Sequence, residues 1–184
     1  MSITQYEQDG FRVEVGICFD PPNPREWDNV GKVALVNRCR YNFGDELLDA
    51  DEIKIILTSR SHYIALPIYM YDHSGITINT TGFSCPWDSG IVGVIYVDKA
   101  RAVKEWGNRY CSKGVRRKAK ECLRAEINEL DKFVSGQVYE WTVFNSRNEW
   151  VDSCGGFYCS IDETLAEGKA ALEFCVQQQT KRAA

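Results

Sequence analysis

Between Tyr71 and Asp88 the sequence reads YDHSGITINTTGFSCPWD, and this one stretch gathers a thiol, an imidazole and two carboxylates. Cys85, His73 and Asp88 are the residue types of a cysteine hydrolase, in which an imidazole takes the thiol proton and a carboxylate orients the ring. Asp72 adds a second carboxylate beside His73. Spacing alone does not put sulfur and ring in hydrogen-bond reach, and no local signature of a known cysteine enzyme surrounds Cys85. If the Asp72/His73/Cys85/Asp88 cluster is catalytic, hydrolysis or nucleotide degradation is the expected reaction. The plainer reading is a structural loop that holds a thiol.

Metal chemistry is weakly specified. A structural zinc site would draw on Cys85, His73, Cys154 and Cys159, but SCGGFYC puts four residues between its cysteines and no CxxC occurs. Asp20, Glu26, Asp28, Asp45, Glu46, Asp72 and Asp88 would make a two-metal hydrolytic centre only if the fold collected them, and no spacing compels that. No GxxxxGK[ST], no GxGxxG after a strand and no GxSxG is present, which removes the commonest nucleotide-binding and hydrolase templates. Neither a metal nor a cofactor is expected.

Recognition is the alternative use for the same surface. In GFSCPWDSG (82–90), Pro86 bars an interior strand and the flanking glycines permit unusual backbone angles, so the segment reads as a shaped loop. It offers Trp87 and Asp88 to a partner. A second such loop, PREWDN, carries Trp27 between Arg25 and Asp28 behind a run of prolines. Trp and Arg dominate binding hot spots, although Trp27 can equally lie on the core as a lid.

The elements that must position these loops follow from periodicity. Phe11, Val13, Val15, Ile17 and Phe19 alternate with other residues, predicting a half-buried strand that stops at Asp20-Pro-Pro. Further strands are expected over 32–37, 63–71, 75–81 and 91–98, the last being the most apolar and central. A hairpin spans 138–144 and 150–151, with extended chain over 153–158, and 38–46 reads as a loop. Helices are expected after the cap Asp49, from Lys99 to Trp106, over Val115–Val134 and over Asp162–Gln179. Strands in adjacent hairpins predict an α+β fold, a mainly antiparallel sheet with helices packed on one face. No linker is visible, so residues 1–184 read as a single domain with frayed ends at 1–9 and 180–184.

A chain of 184 residues supports one sizeable core, and its 44% hydrophobic and 26% charged content excludes a disordered protein. The net charge of −4 gives no global field for nucleic acid, so direct nucleic-acid binding is not expected. The basic run KGVRRKAK (113–120) is followed by acidic residues and reads as a solvated face of mixed sign. A contact to phosphate or an acidic protein is its other reading. The N-terminus lacks a basic and apolar leader, and no apolar run is long enough for a bilayer. A cytoplasmic protein with eight free thiols is the expectation, with no membrane partner and homo-oligomerisation left open.

Four strings carry a resemblance: PREWDNVG (24–31), RYNFGDE (40–46), ALPIYMYDHSGITINTTGFSCPWDSGIVGVIYV (65–97) and DSCGGFY (152–158). Together they resemble a family of small proteins encoded by bacteriophages, prophages and other mobile elements, whose members read DNLG, RYNLGDE and FSCPWDSGQVG at these places. This chain departs at Val30, Phe43 and Ile91. The family brings no catalytic residues with it. The resemblance implies an accessory protein made in the cytoplasm of a bacterial host. Its partner would be a host protein or protein–nucleic acid complex, and inhibition of a CRISPR–Cas or restriction defence is the expected role.

Overall fold

A computed structural model describes residues 2–107 and 109–183. Along the chain run β1 (Ser2–Gln8), β2 (Phe11–Ile17), β3 (Lys32–Val36), β4 (Glu46–Leu48), α1 (Ala50–Thr58), β5 (Tyr63–Asp72) and β6 (Ile76–Asn79). There follow β7 (Ser89–Asp98), α2 (Lys99–Glu105), α3 (Lys113–Val134), β8 (Tyr139–Phe144), β9 (Trp150–Phe157) and α4 (Ile161–Ala183). The class is α+β and the strand pairing is mainly antiparallel; β3 with β4 is the parallel pair. Among the described residues no helix is long and apolar enough to cross a membrane.

The strands form two sheets where the sequence suggests one, for periodicity says which face of a strand is buried and not which strand lies beside it. The chain correspondingly divides into two compact units, one of Met1–Pro22 with Gly136–Ala184 and the other of Asn23–Ser135. In the first, the order is β1-β2-β8-β9 and α4 covers one face. Phe11, Val13, Val15, Trp141 and Val143 are buried there against Leu172. Residues 2–8, read from sequence as a frayed end, are a full edge strand. They pair with β2 across Asp9-Gly10, both at positive φ, the backbone of a tight hairpin turn. Strand β2 stops at Ile17, two residues earlier than its alternation suggests. Cys18 N–H still donates to Val138 O at 2.8 Å, but Phe19 beyond it is almost fully exposed. Thr180 and Lys181 continue α4, while Ala184 lies outside the described residues.

The second unit carries the loops of interest. Its order is β4-β3-β7-β5-β6, so the apolar β7 is central as expected. Val33, Leu35, Ile68 and Ile95 face Leu123, Ile127 and Leu130 of α3. On the opposite face Ala34 and Val94 meet Ile53 and Ile56 of α1, a smaller layer opened by a complete capping box on Asp49. Packing outweighs surface charge in holding α3. Each fully buried Leu or Ile contributes ~2 kcal/mol, against at most ~0.5 kcal/mol for the exposed Arg117–Glu121 pair. Strand β4 starts at the last residue of the expected loop 38–46 and runs to Leu48; three residues are too few to show a period.

Between Ile68 and Tyr69 the β5–β7 register slips by one residue, leaving Val92 unpaired as a bulge just after the loop of interest. Gly93 follows, and a Cβ there would lie 2.2 Å from the backbone oxygen of Ala34, whereas one on Gly90 would meet nothing within 4 Å. Gly93→Ala is expected to cost about 3 kcal/mol or more and Gly90→Ala less than about 0.5 kcal/mol. Urea unfolding followed by tryptophan fluorescence separates them, and equal midpoints would refute the steric account.

Candidate functional site

The segment 82–90, whose last two residues open β7, is built from its base upward. At the end of β6 the Asn79 side-chain Oδ1 accepts from Thr81 N–H (2.9 Å) and Gly82 N–H (2.7 Å), and its Nδ2 donates to Gly82 O at 3.2 Å. Gly82 sits at φ +91°, which a side chain would strain. Tyr71 on β5 lies between Phe83 and His73, with ring centroids 5.7 and 6.1 Å away. Asp72 N–H donates to Asp88 O at 3.0 Å, and Ser89 Oγ donates to Cys85 O, closing the neck of the loop. Beyond the neck Trp87 is 91% exposed.

Asp88 joins the expected reactive residues. Its Oδ2 accepts from Cys85 Sγ at 3.6 Å and lies 3.7 Å from His73 Nδ1. The order is therefore sulfur, carboxylate, imidazole. A thiol nucleophile needs the nitrogen on its sulfur, so the hydrolase arrangement drawn from the sequence is replaced by one in which the carboxylate occupies that place. His73 is 66% exposed and its contact with Asp88 is longer than a hydrogen bond, so the pair is weak and solvent-facing. Asp72 also has a partner: Tyr41 OH donates to its Oδ2 at 2.9 Å, which pushes the phenol pKa up. Two carboxylates, each held by a neighbour, thus lie at the base of an exposed tryptophan. Such an arrangement accepts hydrogen bonds and attracts cations.

The PREWDN loop is arranged differently from the expectation. Trp27 and Asp28 are at the surface, but the Arg25 side chain is only 7% exposed and points inward. Its Nε and Nη2 donate to the two oxygens of Asp45 at 3.0 and 2.7 Å. Nη2 also donates to Gly31 O at 2.7 Å, and Nη1 to Glu126 Oε2 at 3.3 Å. Arg25 is therefore an internal clamp and not a partner contact. Burial opposes its charge, but the hydrogen bond and charge of Asp45, then those of Glu126, outweigh this and raise its pKa. Glu126 further accepts from Val30 N–H (2.8 Å) and Gly31 N–H (3.1 Å), and Asp45 from Val33 N–H (2.7 Å).

All eight cysteines are free thiols. The zinc set suggested by the sequence does not form. Cys85 and His73 belong to one unit and Cys154 and Cys159 to the other, and among the described residues no three His, Cys, Asp or Glu side chains are gathered to hold a metal. The acidic residues of the two-metal reading are also dispersed: Asp45 is spent on Arg25, Glu46 accepts from Tyr96 at 2.6 Å, and Asp72 from Tyr41. The feature that spacing indicated without its full meaning is the basic run. Arg116, Lys120 and Arg124 recur at four-residue steps along α3, and Arg60, far away in sequence, joins them. No protein-family model, no curated protein and no solved structure matches this chain.

Arg25→Met leaves two carboxylates without their shared cation and is expected to lower stability by about 3 kcal/mol, measured by urea unfolding. A cost below ~1 kcal/mol would mean the clamp is dispensable. Thiol reactivity gives a second expectation. Burial and then the Glu126 charge push the Cys122 thiol up to about 11, while Cys154 is exposed on edge strand β9. With iodoacetamide at pH 8, peptide mapping should find Cys154 labelled well before Cys122; the reverse order would contradict the structure.

Proposed function

We propose that this chain works by binding a protein partner through the loop 82–90, with Trp87 as anchor and Asp88 and Asp72 as flanking acceptors. The observation that carries the reading is Trp87 itself, 91% exposed beyond a neck that is already closed by internal hydrogen bonds. A large aromatic in water is costly to leave unburied: covering its roughly 200 Å² contributes ~5 kcal/mol. Because the neck is already ordered, little conformational entropy opposes that gain. The neighbouring carboxylates favour a partner whose pocket is rimmed by basic residues, as on proteins that handle nucleic acid. Trp27 and Asp28 offer a second exposed contact on the same unit.

The setting rests on the motif resemblance: an accessory protein of a mobile element, acting in the bacterial cytoplasm on a host defence complex of the CRISPR–Cas or restriction kind. Catalysis by the Cys85 cluster is the rival. The carboxylate standing between sulfur and imidazole favours the binding reading over it.

Affinity capture from bacterial lysate with tagged wild type, Trp87→Ala and Cys85→Ala discriminates the two. Wild type and Cys85→Ala are expected to retain the same partner, and Trp87→Ala to weaken that retention at least about tenfold. Normal retention by Trp87→Ala would refute the loop as anchor. Loss of host-interference activity in Cys85→Ala, with partner capture intact, would restore the catalytic reading.

A further inference from the structure

The second unit contains a cavity of about 570 Å³ that the binding loop does not touch. Its apolar wall comes from Ile56 and Leu57 at the end of α1 and from Ile64 and Ala65 at the start of β5, with Tyr63 at the same strand end. The strand is open here. Strand β6 pairs only with Tyr69–Asp72, so no strand of that sheet covers the other edge of residues 63–68. Facing this floor are Arg60, from the turn after α1, and Arg116, Arg117, Lys120 and Arg124 of α3.

The charge on that wall is uncompensated. Arg117 is paired with Glu121 at 2.9 Å, but among the described residues the side chains of Arg60, Arg116, Lys120 and Arg124 make no ion pair or hydrogen bond. None of the lining residues is acidic. The run KGVRRKAK is split by the helix, for Lys113 and Lys118 do not line the cavity while Arg116 and Lys120 do. Residues at i, i+4 and i+8 share one stripe, so three like charges are stacked along α3 with a fourth brought up opposite. A protein of net charge −4 thus concentrates four unpaired cations on one concave surface.

We propose that this cavity binds a small phosphorylated ligand of the nucleotide class. Its phosphates would take the four cations, and its flat apolar body would lie against Leu57 and Tyr63. The volume falls within the about 300–1,000 Å³ usual for small-molecule sites. Three of the four free cations are arginines, whose planar fork matches phosphate oxygens two at a time. A long polyanion fits less well, because beyond the cavity the molecule is net acidic and repels it. The site is independent of the Trp87 loop.

The test uses the full chain and a fluorescent N-methylanthraniloyl ATP probe at about 50 mM salt, where screening is modest. Adenosine, tripolyphosphate and a single-stranded 20-mer serve as competitors. Saturable micromolar binding is expected, displaced by ATP, more weakly by tripolyphosphate and not by adenosine. Arg116→Ala/Arg124→Ala should weaken it at least about tenfold, since two charge-assisted phosphate contacts are lost, and Lys120→Arg should retain it. Alanine favours helix, and circular dichroism verifies that α3 persists in the double variant. Absence of saturable binding at millimolar probe, or unchanged binding in the folded double variant, overturns the proposal. Equal competition by tripolyphosphate would reduce it to a bare anion site, and stronger displacement by the 20-mer per phosphate would assign the surface to nucleic acid; either result also overturns it.

Discussion

A buried arginine must be matched by acceptors, and in this protein the matching of Arg25 ties together parts of the chain that have no strand in common. Asp45 takes two of its donors and Glu126 a third, while Glu126 also accepts the N–H groups of Val30 and Gly31 before β3 and Asp45 that of Val33 within it. The turn at 24–26, the residues before β4 and the middle of α3 are consequently held in one polar joint. Removing either carboxylate leaves part of the Arg25 charge, which is only 7% exposed, without its acceptor, which costs more than an exposed ion pair returns.

The joint also explains the geometry around it. Glu126 lies on α3 two residues beyond Arg124, the last of the row Arg116, Lys120 and Arg124, so the helix that carries the basic wall is pinned by its own carboxylate to the residues leading into β3. The same carboxylate sits 3.6 Å from Cys122 Sγ and helps keep that thiol protonated. At the loop itself, Asn79 and the bulge at Val92 do for the loop 82–90 what the joint does for α3. They settle the backbone locally, so that Trp87 needs no support from packing. One unit thereby presents two unlike surfaces, one acidic and aromatic, the other basic and concave.

Much of the fold was legible because its signals are local. The alternation of β2, the apolar run of β7, the Asp49 cap and the stripe of α3 each follow from a short window of residues. Asp9-Gly10 is an equally local signal, a hairpin dipeptide that makes β1 a strand where the polar N-terminus suggests a frayed end. What no window contains is pairing. Nothing within 11–17 or 139–144 says that these strands leave the others to form a separate sheet. The site divides in the same way. The exposure of Trp87 follows from Pro86 and its glycines, whereas the inward turn of Arg25 depends on carboxylates 20 and 101 residues away. Arg60 likewise meets α3 through the fold alone. The strings PREWDN and RYNFGDE each supply one member of the clamp, Arg25 and Asp45, and α3 supplies the third, Glu126.

The division of the chain has a temporal side. The unit 23–135 is one uninterrupted stretch, while the other is assembled from residues on both sides of it. A ribosome therefore releases everything needed for the five-stranded sheet before β8, β9 and α4 exist. During that interval β1 and β2 are a lone hairpin, with Phe11, Val13 and Val15 waiting for the helix that will cover them, and isolated hairpins are marginal in water. The larger unit can mature first, and the smaller one only once residues 139–183 have joined β1 and β2.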